Sequence, residues 1–273
     1  MSKSVWDSVE GEVDQVVYPT LSLILPTFNS AATIGLTLES IRAQQYPSLE
    51  VLVLDAGSTD RTVDIVRSYY PLVSRVLTVD SYNRFEMYNR GTTIAEGRYL
   101  NFFFPGSFFL AAHGLKMLGR LAVEQREPEL IYGGSAIRSP EEEFTIKRGI
   151  LSVKILKQGD TPTMLLTCLF RKDALVALGK FNTGYRHRAG LDLFCRFERR
   201  GDFRSAHTLR VLTEYKAPRL SYRDLMVNTR EIFSILSIYY GFTQALGWWL
   251  SQNHLLMMHW WWNRLKNALL GPR

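Results

Sequence analysis

Cysteine is nearly missing from this chain. Cys168 and Cys195 are the only two, far apart and without metal-ligand spacing around them, so they read as free thiols in a reducing compartment. The N-terminal stretch MSKSVWDSVEGEVDQVV carries acids and no apolar core, which does not read as a signal peptide. No glycine-rich loop follows the first apolar run, and no G-x-x-x-x-G-K-[ST] occurs anywhere. A dinucleotide fingerprint and a phosphate loop are both excluded. There is no internal repeat and no low-complexity linker. Acid is absent from one place in particular: no Asp or Glu lies between Arg98 and Glu124, a stretch that contains RYLNFFFPGSFFL.

The 273 residues are 46% hydrophobic and 22% charged, ordinary for one large domain or a domain with an appendage. The net charge of +7 and sequence pI near 9.4 suit phosphate-bearing ligands or an anionic membrane surface. Nucleic acid is not expected as a partner, because Lys and Arg are scattered and the densest runs, RHR and RFERR, share one short region. From residue 21 to about 132, apolar strands alternate with helices. LSLILP, EVLVLDAGS, RVLTV and RYLNFFF read as strands, and Ile34, Leu38 and Ile41 fall at helical spacing between the first two. Ser58, Thr59 or Asp60 can cap the second helix. This pattern predicts an α/β fold with a mostly parallel, doubly wound sheet flanked by helices. On such sheets, ligands sit beyond the carboxyl ends of the strands.

Three strand ends then meet at one cleft: PTFN (26–29), DAGSTD (55–60) and FPGS (104–107). A short polar segment after the first strand offers backbone N–H groups and the Thr27 hydroxyl to a ligand. Asp55 is placed to accept N–H groups from a nucleobase. The alternative is that Asp55 and Ser58 only build a turn and cap a helix.

LSLILPTFNSAATIGLTLESIRAQQYPSLEVLVLDAGSTDRTVDIV resembles the opening of a family 2 glycosyltransferase of the nucleotide-sugar-binding GT-A fold. The likeness continues through EMYNRGTTIAEGRYLNF and IYGG, and more weakly through GKFNTGYRHRAGLDLFCR, covering about residues 20–200. It implies transfer of a sugar from a nucleotide diphosphate donor to a hydroxyl of a polysaccharide or lipid-linked glycan, with inversion. It implies a nucleotide-sugar site at Pro26, Thr27, Asn29, Asp55, Gly57, Ser58, Arg84, Glu86 and Asn89.

The chain departs from that pattern where the chemistry is done. The family ends its fourth strand in an Asp-x-Asp-like motif that holds Mg²⁺ or Mn²⁺ against the diphosphate. Here the positions are Phe104, Pro105, Gly106 and Ser107. No metal ion is therefore expected as cofactor. Counting from Phe181, Tyr185 and Arg196 match the later motif, but the catalytic Asp position is Gly190. Asp192 lies two residues on, nearly opposite on a helix. Asp192 and His187 are the candidates for the base, and capping or a salt bridge is the alternative for Asp192. Arginines can neutralise a diphosphate in place of a metal; Arg84, Arg90, Arg98, Arg186 and Arg188 are the candidates.

Residues 232–263 contain no Asp, Glu, Lys or Arg and carry Trp248, Trp249, Trp260, Trp261 and Trp262, with Arg264 and Lys266 following. Such a segment suits an interfacial helix on a membrane over residues 232–266, packing against a partner or second copy, or a span. The expected organisation is an N-terminal extension (1–19), a GT-A-like domain (20–225) and a C-terminal apolar helical appendage (226–273). The expected place is the cytoplasm, peripheral at the inner face of the cell membrane. Two readings of function stay open: an active metal-independent transferase, or an inactive relative that binds nucleotide or glycan and supports a partner enzyme.

Overall fold

The computed structural model describes residues 16–219 and 221–252. Nine strands form one sheet among these residues. Its first half alternates with helices: β1 (Leu21–Thr27), α1 (Ile34–Arg42), β2 (Leu49–Asp55), α2 (Thr62–Ser68), β3 (Arg75–Thr78), α3 (Arg84–Ile94) and β4 (Tyr99–Phe102). Strands in the order β3-β2-β1-β4 pair parallel. The second half comprises β5 (Ser107–Phe109), α4 (Gly114–Glu124), β6 (Leu130–Arg138), β7 (Phe144–Lys147), α5 (Val153–Lys157), β8 (Cys168–Arg171), α6 (Lys172–Ala177), α7 (Ala189–Arg200) and β9 (Ser205–Lys216). It extends the sheet as β4-β8-β6-β9-β5, with β7 added to β6. Here β8 runs antiparallel to both neighbours, β6 and β9 are parallel, and β5 is antiparallel to β9.

The parallel strands are apolar on both faces because helices cover both. Ile24, Leu52, Leu54, Leu100 and Phe102 enter the core under α3 and α7. Leu21, Leu23, Leu25, Val51, Val53 and Tyr99 enter the opposite core under α1, α2 and α4. The period of two along each strand sorts these residues between the layers. Two glycines permit close approach. A Cβ at Gly91 of α3 would stand 2.4 Å from the Ile24 side chain, and one at Gly97 would stand 2.4 Å from the Ser22 backbone nitrogen.

The phenylalanine run divides its labour. Phe102 and Phe103 are fully buried on opposite faces, and Phe103 stacks on Phe109 with centroids 4.8 Å apart. Pro105-Gly106, with Gly106 at φ 84°, then turns the chain into β5. Phe104 remains at the cleft.

After β9 come α8 (Tyr222–Tyr240) and α9 (Phe242–Ser251), separated by Gly241. Ile232, Ile235, Leu236, Ala245 and Trp248 join the same core as α7. Residues 226–252 are thus packed onto the α/β body. No helix among the described residues is long and apolar enough to cross a membrane. Trp260, Trp261 and Trp262 lie outside the described residues.

Candidate functional site

The loops after β1 and β2 are tied to each other by side chains. Asp55 is 2% exposed. Its Oδ1 accepts from the Thr27 hydroxyl at 3.0 Å and the Ser58 hydroxyl at 2.5 Å. Its Oδ2 accepts from the Gly57 and Ser58 amides at 3.0 and 2.8 Å. Gly57 takes φ 78° to close this turn. Across the gap, Asn29, itself at φ 43°, donates its N–H to Ser58 Oγ and accepts from the Thr59 amide, both at 2.9 Å. Asp60 accepts from the Ala31 and Thr62 amides; the Thr62 hydroxyl bond is the main reason its carboxyl sits below the usual range. Asp55 is therefore the hub of a turn, with its lone pairs filled by the protein. The turn-building alternative describes its position, and a role as direct acceptor for a base does not fit. Pro26 is buried within β1.

Two exposed aromatics that the sequence reading passed over flank this clasp. Phe28, beside Asn29, meets Tyr82 edge-on at 4.8 Å. Both remain open to solvent. The signal available was an aromatic inside PTFN.

Of the α3 residues, Asn89 is spent on structure. Its amide donates to the Phe181 carbonyl at 2.8 Å and accepts the Phe181 N–H at 2.9 Å. Glu86 accepts from the Ser81 hydroxyl at 2.8 Å and pairs with Arg90 at 3.2 Å; the hydroxyl bond is the first cause of its lowered pKa. Arg98 pairs with Glu127 at 2.7 Å, at the start of β4, the end remote from the cleft. Neither Glu86 nor Asn89 lines the deep pocket, and Arg84 does.

That pocket, of about 390 Å³, is lined by Arg84, Phe104, Lys147, Asp160, His187, Arg188, Gly190 and Tyr215, among others. Phe104 packs edge-on against Tyr215 at 4.7 Å. The Arg84 guanidinium lies 5.3 Å from the Phe104 ring and 5.0 Å from Phe85, a cation–π arrangement. Arg84 has no ion pair among the described residues. Arg188 hydrogen-bonds Asn228 through Nε; burial pulls its pKa down, while Asp160 and Glu231 oppose that. Asp160 is the one carboxylate on the wall, and it is paired with Lys147. No cluster of three His, Cys, Asp or Glu side chains fit for a metal exists among the described residues. This donor set, aromatic and cationic, does not fit a hard divalent ion, which asks for several carboxylate or carbonyl oxygens.

Asp192 is corrected by the structure. It is buried on α7, its Oδ2 held by Arg196 at 2.7 Å and its Oδ1 accepting the Tyr239 hydroxyl at 2.8 Å. It does not line the pocket, whereas Gly190 does. Because 190 and 192 stand about 200° apart around a helix, the acid faces the α8 side. His187 does line the pocket. The loop 186–188 is held by Glu231 of α8, whose carboxylate accepts the main-chain N–H groups of Arg186, His187 and Arg188 at 2.6, 2.9 and 2.8 Å. Glu231 so satisfies donors at the start of α7, where a negative charge is favoured.

The half-parallel sheet with helices on both faces is a GT-A type of fold; of the three expected strand-end segments, only the one after β4 reaches the pocket, through Phe104, and neither PTFN nor DAGSTD lines it. Residues 22–103 match the sequence model described as Glycosyl transferase family 2. The chain is 27% identical over 181 residues to a "PGL/p-HBAD biosynthesis glycosyltransferase" of Mycobacterium bovis, covering 64% of this chain and 68% of that one. Over 53 residues it is 47% identical to a validoxylamine A glucosyltransferase of Streptomyces hygroscopicus subsp. jinggangensis, 19% of this chain and 13% of that one. Among solved structures, Staphylococcus aureus TarS 1-349 in complex with UDP-GlcNAc superposes with a TM-score of 0.66 at 16% identity, covering 86% of this chain and 74% of that one. The chain spans 43% of the longer TarS structure. A Pyrobaculum calidifontis mannosyltransferase with GDP-Man and Mn²⁺ superposes with a TM-score of 0.57 at 18% identity, covering 85% of this chain and 74% of that one. Residues 22–103 thus carry the sequence of a family 2 glycosyltransferase, and the fold is of the GT-A type.

Proposed function

We propose that this protein transfers a sugar from a nucleoside diphosphate donor to a hydroxyl of a glycan or lipid-linked glycan, and that guanidinium groups replace the metal ion. The observation that carries this is the pocket wall: Arg84 and Arg188 line a cavity whose carboxylate, Asp160, is tied to Lys147, and Phe104, which the family resemblance aligns with a metal-binding acid, lines it too. Planar guanidinium forks pair with phosphate oxygens bidentately and stay charged at any working pH. The nucleoside rests against Phe28 and Tyr82, above a rim kept in shape by Thr27, Asn29, Asp55, Gly57 and Ser58. Inversion at the anomeric carbon follows from the family resemblance.

Calorimetric titration of UDP-, GDP- and dTDP-sugars, with Mn²⁺ and then with chelator, tests this. One donor binds with an affinity unchanged by chelator, and Arg84→Ala weakens it at least tenfold. Binding that vanishes with chelator contradicts the reading. A second reading, an inactive subunit supporting a partner transferase, is favoured by one observation: Gly190 offers no acid and Asp192 is locked to Arg196. Donor binding with no turnover would select it.

The exposed side chains Ile238, Phe242, Leu246, Trp249 and Leu250 on α8 and α9 support docking on a membrane surface, at the cytoplasmic face where lipid-linked acceptors are presented. Apolar area and an interfacial Trp favour that over a free aqueous face.

A further inference from the structure

The missing carboxylate of α7 has a counterpart on α8. Asp224, in the first turn of α8, brings Oδ1 to 3.5 Å from His187 Nε2 and to 3.5 Å from Arg186 Nη2. Its Oδ2 accepts the Ser221 hydroxyl at 2.6 Å. His187 Nε2 is buried and has no hydrogen-bond partner, so Asp224 is the acceptor that a modest closure brings within range. The His187 main chain is fixed by Glu231 at 2.9 Å, which leaves the ring to orient between Asp224 and the cavity. Where the family resemblance puts an acid, the pocket is lined by Gly190; a Cβ there would stand 3.4 Å from Leu165.

We propose that His187 and Asp224 form the base dyad of the transfer, with Asp224 as the positioning residue. This rests on the donor-site reading above. With Nε2–H directed at Asp224, Nδ1 is the lone-pair nitrogen. Nδ1 takes the proton of the acceptor hydroxyl as its oxygen bonds to the anomeric carbon. The bond from that carbon to the diphosphate oxygen breaks, and its electron pair leaves with the nucleoside diphosphate beside Arg84 and Arg188. The imidazolium so formed is balanced by Asp224 and then returns its proton to water. Asp224 is kept ionised first by the Ser221 hydroxyl and then by Arg186 and His187. The other charged groups about the ring are Glu231 beneath its backbone, Arg188 beside it, and Arg84 and the Lys147–Asp160 pair on the pocket wall.

The test uses the full chain and the donor sugar that binds in calorimetry, with water as acceptor and nucleoside diphosphate release as the readout. Wild type hydrolyses the donor at a measurable rate. His187→Gln lowers kcat about 10²-fold or more, while calorimetry gives an unchanged donor affinity. Asp224→Asn lowers kcat at least tenfold with KM for donor unchanged, and Asp224→Glu restores part of the loss. Circular dichroism and a thermal melt certify each variant as folded; an unfolded His187→Gln is replaced by His187→Asn. Retention of the wild-type rate in the His187 variant overturns the dyad. So does donor binding with no hydrolysis, which leaves the donor reading standing. Absence of binding by any donor overturns both.

Discussion

A carboxylate whose four lone-pair sites are filled has nothing to offer a ligand, and Asp55 is in that state. Its removal in Asp55→Ala leaves two hydroxyls and two amides of the Thr27 and Gly57-Ser58 loops without their acceptor. The expected result is a loss of about 2–4 kcal/mol of stability, at roughly 0.5–1 kcal/mol per lost hydrogen bond, read in urea denaturation, together with loss of donor binding because the rim collapses. Phe104 is the converse case, a neutral ring where the family resemblance puts an acid. An acid at that position lies beside the Arg84 guanidinium, 5.3 Å from the present ring, and pairs with it. Phe104→Asp therefore weakens donor binding about tenfold or more and does not create Mn²⁺ dependence, as calorimetry with and without the ion would measure. The two thiols are inert for a simpler reason. Burial pushes Cys195 up to about 12 and Cys168 upward as well. Both are protonated at pH 8, and only the thiolate attacks. Native protein takes up no iodoacetamide at that pH, and urea-unfolded protein takes up two equivalents.

Helix α8 is the element on which the site depends. Asp224, Asn228 and Glu231 fall at i, i+4 and i+7, one face of a helix, and that face meets the 186–188 loop. Tyr239, further along, fixes Asp192. Glu231→Ala removes the acceptor for three main-chain donors, costs about 3 kcal/mol in thermal or urea unfolding, and lowers turnover because His187 and Arg188 lose their mounting. None of this was legible beforehand, because each bond joins residues some forty apart and carries no local pattern. The same reason hid the commitment of Asn89 to Phe181. The displaced acid, by contrast, was legible: a two-residue offset on a helix is a rotation, and Asp192 does face away from the pocket. Strands β1 to β4 and their helices could be read because apolar runs there alternate with a 3.6-residue period. Strands β6 to β9 could not be ordered, since antiparallel and parallel pairs with long connections leave no distinguishing period in a single sequence.

At the scale of the whole molecule, the layered α/β body and the α8–α9 pair are one packed unit, with the pocket lined by α3, the β6, β7 and β9 strands and the start of α7. Helices α8 and α9 leave Ile238, Phe242, Leu246, Trp249 and Leu250 exposed. The docking proposal expects the full chain to co-sediment with anionic phosphatidylglycerol vesicles, and Phe242→Ser with Leu250→Ser to lower the bound fraction several-fold without changing donor affinity. Equal sedimentation of wild type and variant would remove these helices from the interface. The central claim is that the diphosphate is held by Arg84 and Arg188 with no divalent ion between them. A crystal grown with the bound donor and Mn²⁺, measured at the manganese absorption edge, decides it. The account predicts no anomalous peak in the pocket and diphosphate oxygens within hydrogen-bond reach of both guanidinium groups. A manganese peak bridging the diphosphate and protein oxygens beside Phe104 would contradict it.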